Sequence, residues 1–232
     1  MHFCYFTVGT ILASFLTLCV VRIPQHRSII TPRSHCDHCQ RQLTWWQLIP
    51  LIGYLIQRGR CWHCHQVISP WSFVNELLGG WLMLHCCQLD ALSAIGYGIF
   101  FFTLIILATM DALYTAIYPV MFIGLLPLWL LLPHPNYTHP LFWMTTSATV
   151  AVLLLLYLAR GLGSADVEFI CILLFVLPFL TVDLIILTAC LGAIGYAILT
   201  HQPSRFAFLP FLCLALGVTL LIHLHWLPFF FY

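Results

Sequence analysis

Charge is scarce in this sequence, and lysine is absent from it. Only 6% of the 232 residues are charged, whereas 62% are hydrophobic. A water-soluble domain carries roughly 25% charged residues, so the composition excludes that class of protein. The net charge of +1 comes from eight basic residues, all arginine, set against seven acidic ones. We therefore expect a chain surrounded by membrane lipid, with no nucleic-acid partner.

Long apolar runs make up most of the chain, and they predict about eight membrane-spanning helices. Runs of about 18 or more apolar residues are long enough to cross the hydrocarbon of a bilayer. Because two of the runs are short, between about seven and nine spans fit the pattern. Basic residues follow the first run, so we expect a retained span there and not a cleaved signal peptide. The predicted spans are 3–21, 72–89, 92–110, 118–133, 140–159, 168–182, 184–200 and 206–224.

The arginines predict how these spans are oriented. Basic residues collect in the cytoplasmic loops of membrane proteins. Six arginines follow the first span, one ends the fifth span and one lies between the last two spans. With eight spans and the N-terminus outside, all three places are cytoplasmic. The arginines are Arg22, Arg27, Arg33, Arg41, Arg58, Arg60, Arg160 and Arg205.

The chain divides into two predicted parts. Residues 1–71 contain the first span and a long polar insert, and residues 72–232 contain a bundle of the remaining spans. Loops as long as this insert are usually functional. Within it, Trp45 and Trp46 precede the apolar residues 48–52, a composition typical of a segment that rests at the membrane surface. The sequence thus predicts an all-α polytopic membrane bundle with a cytoplasmic insert.

Four of the eleven cysteines lie in the insert as two Cys-x-x-Cys turns, Cys36 with Cys39 and Cys61 with Cys64. Each turn places two thiolates on one side of a tight loop, and two such turns complete a tetrahedral Zn²⁺ site. The spacing is typical of zinc knuckles, and four protein ligands leave no open coordination position. We therefore predict a structural zinc site, with a redox dithiol and unliganded thiols as alternatives. Three neighbouring histidines are alternative ligands: His38, His63 and His65.

Two aspartates, Asp111 and Asp166, fall at the cytoplasmic ends of predicted spans. An acid in or beside hydrocarbon is costly, so each one is a candidate for function. Two aspartates that meet in a low-dielectric site share a proton, because both cannot easily ionise. One can then act as a general base on water while the other polarises a carbonyl, which would hydrolyse a peptide bond. Two unrelated aspartates at the membrane interface are the alternative.

Other residues near these aspartates are candidates for supporting roles. The small residues Gly161, Gly163 and Ala165 precede Asp166, and they would let backbone and substrate approach closely. Glu168 and Glu76 are possible substrate contacts on the cytoplasmic side. Alternatively, Glu168 snorkels to the membrane surface, and Glu76 is a structural partner for an arginine.

A series of short motifs occurs in the same order as in one known family. It runs from Ala13-Ser14-Phe15-Leu16, through both cysteine turns, to Gly163-Ser164-Ala165-Asp166-Val167, and it is most specific in the insert. On these motifs the chain resembles the prepilin leader peptidases, which are GxGD-type intramembrane aspartic proteases. The other matching segments are Arg22-x-Pro24, Pro32-Arg33-Ser34, Leu48–Tyr54, Arg58-Gly59-Arg60, Glu76-Leu77-Leu78 and Ile117-Tyr118-Pro119.

The resemblance implies that Asp111 and Asp166 are the catalytic aspartates of an enzyme of the bacterial cell membrane. It implies cleavage of a basic leader from type IV prepilin or pseudopilin precursors at the cytoplasmic face. Many members also N-methylate the new N-terminus with S-adenosylmethionine; the resemblance permits this activity, and the residues do not demonstrate it. Departures from the motifs at Thr17, Ala165 and Glu168 resemble drift within a competence-type branch.

Functions of two other classes compete with this interpretation. A metal- or proton-coupled transporter would place its acidic residues near the bilayer midplane, whereas Asp111 and Asp166 fall at one face. A thiol oxidoreductase would need its dithiol on an oxidising side, whereas the arginines place the cysteine turns in the reducing cytoplasm.

Overall fold

The computed structural model describes residues 2–132, 135, 137–200 and 207–226, with side chains described as far as residue 222. Regular structure in these ranges is helical, apart from two isolated backbone bridges in the insert. The predicted all-α class is therefore confirmed. The helices are α1 (His2–Arg22), α2 (Ile52–Ile56), α3 (Pro70–Cys86), α4 (Ala91–Tyr114), α5 (Leu126–Leu131), α6 (Pro140–Leu158), α7 (Ser164–Val176), α8 (Phe179–Thr200) and α9 (Leu209–Trp226), with 3-10 helices at Trp45–Leu48 and Pro119–Leu125.

Four helices, α1, α4, α6 and α8, are long and apolar enough to cross a membrane by length and composition. The shorter apolar stretches Pro119–Leu131 and Leu209–Ile222, together with α3 and α7, coincide with the other four predicted spans. All eight predicted spans therefore overlap helical structure, as a polytopic bundle requires. Arg205, one of the residues used to predict orientation, lies outside the described residues.

Several helix ends differ from the predicted span ends; α8, for example, begins at Phe179 and not at residue 184. Two of the differences affect the candidate site. α4 continues to Tyr114, so Asp111 lies inside this helix and not beyond a span that ends at residue 110. α7 begins at Ser164, so Asp166 lies in its first turn. An aspartate interrupts an apolar run but is compatible with helical backbone, and hydropathy therefore gives helices that are too short at these points.

Contacts divide the chain into two units, Met1–Thr109 and Met110–Tyr232, which are described separately. The predicted functional boundary between residues 71 and 72 stays a prediction. In the second unit, α7 packs against α6 and α8, and α8 packs against α9. The apolar side chains of α7 that face this unit are fully buried: Phe169, Ile170, Leu173 and Leu174.

In the first unit, α1 and α3 pack so closely that glycine is needed where they cross. A Cβ atom added at Gly79 would lie 2.6 Å from the Cβ of Ala13, and one added at Gly80 would lie 2.7 Å from the ring of Phe6. A Cβ at Gly9 would meet the backbone carbonyl of Gly79. Helices in lipid associate largely through close packing of such small residues, so this crossing stabilises the pair.

A buried polar cluster connects three helices of the first unit. Asn75 on α3 donates from Nδ2 to the Oγ1 of Thr17 on α1, at 3.0 Å, and to the Oγ1 of Thr109 on α4, at 2.9 Å. The two hydroxyls donate in turn to carbonyls of their own helices. A buried amide without partners is costly, so the cluster fixes the relative depth of the three helices.

The insert, residues 23–69, begins with a turn that a buried arginine holds together. Arg22, the last residue of α1, is 8% exposed. Its guanidinium donates to the carbonyls of Ser28 and Pro32, both at 2.9 Å. A charged donor that satisfies two carbonyls is a strong hydrogen-bonding arrangement, so Arg22 directs the chain from the end of α1 into the insert.

We predict that Gly79→Val weakens the first unit by about 1–3 kcal/mol, the usual cost of forcing extra atoms into a packed site. Gly98→Ala on α4 is the matched control, because a Cβ there meets nothing within 4 Å and alanine favours a helix. Thermal unfolding in detergent measures both variants. Equal melting temperatures for the two variants would contradict the role assigned to the crossing.

Candidate active site and metal centre

The two aspartates singled out from the sequence both lie in the second unit, and both are buried. Asp111, near the end of α4, is 9% exposed, and Asp166, in the first turn of α7, is 8% exposed. The two carboxylates are close enough for a direct electrostatic interaction. The structure therefore brings together two acidic groups that are 55 positions apart in the sequence. Their catalytic role stays a prediction.

Each carboxylate accepts a backbone hydrogen bond at the beginning of a helix. The N–H of Gly163 donates to Oδ2 of Asp166 at 3.2 Å, so this side chain caps its own helix. The N–H of Leu209, the first residue of α9, donates to the carboxylate of Asp111. Free N–H groups at helix N-termini favour negative charge, so both aspartates are held where a carboxylate is stabilised.

A helix cap alone does not explain this pair. An aspartate three residues into a helix is a common capping residue, usually exposed to water. Here a second buried acid lies within electrostatic reach of it. Like charges in a low-dielectric site are unfavourable unless one group holds a proton. The arrangement can therefore hold one proton between Asp111 and Asp166, which is the state that acid–base catalysis on a peptide bond requires.

Two residues of α9 lie near the two aspartates, and neither was predicted from the sequence. Leu209 supplies the amide to Asp111, and the buried Cys213 lies within electrostatic reach of both aspartates. They are four residues apart and therefore share one face of the helix. Every helix start has free amides, but the sequence contains no signal for which acid they meet.

The small residues before Asp166 form the turn that leads from α6 into α7. The N–H of Gly163 donates to the carboxylate of Asp166. The N–H of Gly161 donates to the carbonyl of Leu156 at 2.9 Å, a contact just beyond the C-terminal end of α6. Ala165 lies within the first turn of α7, where helical backbone accommodates a side chain without strain. The alanine in place of a glycine is therefore compatible with the local fold.

The four cysteines of the insert converge on one point, as predicted. Their Sγ atoms all lie within 4.8 Å of one another, a group that could hold a metal ion. The closest approaches join the two turns, 3.8 Å between Cys36 and Cys64 and 4.0 Å between Cys39 and Cys61. With Zn–S bonds of about 2.3 Å, a tetrahedron has S···S edges of about 3.8 Å, so these thiols fit zinc.

The two turns have the same backbone conformation. In each turn the N–H of the residue after the second cysteine donates to the carbonyl of the first, Gln40 to Cys36 and His65 to Cys61, both at 2.9 Å. Gln40 and His65 both have positive φ, 57° in each case. Such tight turns place both thiols on the same side, which makes the pair of turns suited to tetrahedral coordination.

The protein backbone prepares one of the thiols for metal. Hydrogen bonds from the backbone at Cys64, and next at His63, lower the pKa of the Cys61 thiol to about 6. Because the thiolate is the form that binds metal, Cys61 is ready to coordinate at neutral pH. His63 itself contacts Arg41 across the two turns, at 3.0 Å between Nδ1 and Nη1. The structure therefore favours four sulfur ligands over the histidine alternatives.

Residues 7–89 match the family model described as the bacterial peptidase A24 N-terminal domain. This segment contains most of α1, the insert with both cysteine turns, and α3. The predicted motifs are most specific in the insert. This part of the chain is therefore similar to the N-terminal domain of that peptidase family. The resemblance on which the sequence interpretation depended is thereby confirmed.

Three relatives named prepilin leader peptidase/N-methyltransferase illustrate the similarity to this family. The protein of Myxococcus xanthus is 39% identical over 83 residues, which is 36% of this chain and 25% of the relative. That of Bacillus subtilis is 48% identical over 64 residues, or 28% and 26%. That of Klebsiella pneumoniae is 32% identical over 115 residues, or 46% and 50%. The chain thus spans between a quarter and half of the length of these relatives. No solved structure matches it.

The two glutamates considered as substrate contacts lie in different environments. Glu76 is 5% exposed and accepts hydrogen bonds at both oxygens, from the N–H of Leu51 at 2.8 Å and from the hydroxyl of Ser72 at 2.9 Å. These contacts favour a structural role, with the insert backbone as the partner in place of an arginine. Glu168 is exposed on α7 and remains a candidate for contact with a substrate.

We predict about one Zn²⁺ per chain in the purified protein. Cys61→Ser should release the metal and lower the melting temperature, because metal binding supplies folding free energy to a small polar loop. Cys4→Ser is the matched control, since Cys4 is exposed on α1 and lies outside the cluster. Elemental analysis and thermal unfolding measure the two effects. Folded wild-type protein without any metal would contradict the assignment.

Proposed function

We propose that the chain is a membrane-embedded aspartic endopeptidase that removes the basic leader from type IV prepilin or pseudopilin precursors. The observation that supports the proposal is the pair of buried aspartates, Asp111 and Asp166, which lie within electrostatic reach of each other and each interact with a backbone amide at the start of a helix. The names of the relatives support prepilin precursors as the substrate class. The arginines of the insert support a site at the cytoplasmic face of the bacterial cell membrane.

The proposed reaction needs only the two carboxyl groups and one water molecule. The ionised aspartate takes a proton from the water, whose oxygen attacks the scissile carbonyl carbon. The protonated aspartate donates its proton to the carbonyl oxygen. When the C–N bond of the tetrahedral intermediate breaks, the amine leaves with the proton that the first aspartate took from water, and the second aspartate recovers a hydroxyl proton as the carboxylic acid product forms. The two amide donors, Gly163 and Leu209, hold the carboxylates in position and do not touch the reacting bond.

We predict that Asp111→Asn and Asp166→Asn each lower the cleavage rate of a prepilin-type precursor by at least about 100-fold. Neither asparagine can take or give the proton that its aspartate handles, although it preserves the shape of the side chain. Cleavage is followed in detergent or in vesicles by the mass change of the precursor. A single variant with full activity would overturn the assignment of the pair.

Asp90→Asn is the matched control for these variants. Asp90 precedes α4, and its carboxylate accepts from the N–H of Ser93 at 3.1 Å, a helix-capping contact. This contact lowers the pKa of the exposed Asp90 carboxyl. Asparagine is an equally good N-cap, so this variant should retain both its fold and nearly full activity.

The leader would be recognised by acidic residues, because the arginines of the insert repel a basic peptide. Glu168 is the candidate, since it is exposed and lies two residues after Asp166. We predict that Glu168→Lys raises the KM for a basic leader at low salt and that high salt reduces the effect. Asp183→Lys, a reversal at an exposed acid of α8, should leave the KM unchanged. An unchanged KM for Glu168→Lys would place leader recognition elsewhere.

Residues of this chain can be assigned to zinc but not to S-adenosylmethionine. Zinc would be held by the four cysteine thiolates as a closed structural site, and it would take no part in cleavage. N-methylation of the new N-terminus would require S-adenosylmethionine, which supplies a methyl group when bound. We assign no residue of the chain to that cofactor, and no step of the proposed reaction passes through it.

A further inference from the structure

The insert carries an exposed apolar face close to its attachment to α3. The 3-10 helix Trp45–Leu48 and the helix α2 form what we call the docking segment, residues 45–56. On α2, Ile52, Leu55 and Ile56 occupy positions i, i+3 and i+4, and each is at least 50% exposed. Trp45 is 77% exposed. A stripe with this spacing lies on one side of a helix, and in contact with water it would be costly.

The position of the docking segment relative to α3 is fixed by specific contacts. The N–H of Leu51 donates to the buried carboxylate of Glu76 at 2.8 Å. The ring of Tyr54 stacks on that of Phe73, with centroids 4.9 Å apart. Gly53 lies directly against the backbone carbonyl of Gln47, so the two halves of the segment form one body. The apolar stripe is therefore held at a defined height along α3.

Two lengths relate this height to the ends of α1 and α3. Glu76 is six residues into α3, or about 9 Å from the start of the helix. Its neighbour Asn75 bonds Thr17, which lies five residues, or about 8 Å, before the end of α1. α1 has 21 residues and is a candidate span, and at about 31 Å it matches the hydrocarbon thickness with little to spare. Leu51 and the start of α2 therefore lie within about 9 Å of the ends of α1 and α3, which is close to the level at which a span of this length leaves the hydrocarbon.

We propose that the docking segment is an interfacial membrane element, with its apolar stripe covered by lipid at the boundary between headgroups and acyl chains. Irregular backbone at this depth is stable only if its polar groups are bonded within the protein, which explains a buried glutamate that receives the Leu51 amide. The exposed Arg58 and Arg60 directly follow α2, where they can meet anionic phosphates. The proposal requires a chain that spans a membrane and is independent of the peptidase activity.

The test is photolabelling of the unmodified full-length protein in vesicles of phosphatidylethanolamine and phosphatidylglycerol. One sample contains a phospholipid with a diazirine on its acyl chain, and a parallel sample contains a water-soluble diazirine. Peptide mass mapping compares residues 45–56 with residues 36–40, an exposed turn of the same insert. We expect several-fold more lipid adducts per residue on 45–56, and the reverse preference with the water-soluble reagent.

A pair of variants separates lipid contact from general reactivity. Leu55→Glu places a charge on the apolar stripe and should lower lipid labelling of residues 45–56 several-fold, whereas His38→Glu in the exposed turn should not. Water-soluble labelling of 45–56 that equals that of 36–40 would overturn the proposal. Protection of 45–56 from both reagents would also overturn it, because a protein partner and not lipid would then cover the stripe.

Discussion

The structure depends on the cost of placing polar groups in a medium that cannot hydrate them. Within the described residues, no buried side-chain nitrogen or oxygen lacks a hydrogen-bond partner. Asn75 is satisfied by two threonines, Arg22 by two carbonyls and Glu76 by an amide and a hydroxyl. In a lipid environment each such bond also specifies geometry, because the alternative is an unpaired group that costs several kcal/mol.

The same cost of burying polar groups determines the chemistry that the two aspartates can perform. Within the described residues, Asp111 and Asp166 each interact with a single backbone amide, which is less than two carboxylates need in a buried setting. A proton shared by the two carboxylates would compensate for the missing hydrogen-bond donors. Such a shared proton can also be passed to a substrate. The four insert thiols represent the opposite case, because a metal ion would satisfy all of them and leave no position for chemistry.

The sequence predicted elements that depend on local pattern and failed to predict contacts between distant segments. Hydropathy located helical structure at all eight spans, and Cys-x-x-Cys spacing predicted the thiol cluster. Hydropathy ended one helix too early, before Asp111, and began another too late, after Asp166, since it measures polarity and not backbone conformation. Neither the Leu209 amide at Asp111 nor the Leu51 amide at Glu76 was predictable, because a backbone donor has no residue type to identify it.

The position of the thiol cluster has a consequence for the pairing of α1 with α3. These helices can meet at their glycine crossing only if the 23–69 connection closes into a loop, and closure of a long flexible chain costs entropy. A metal bound to Cys36 and Cys64 would remove the residues between them from that loop and shorten it by more than half. Each halving is worth about 0.6 kcal/mol. Metal loading and helix pairing are therefore coupled through chain entropy, although they share no atom.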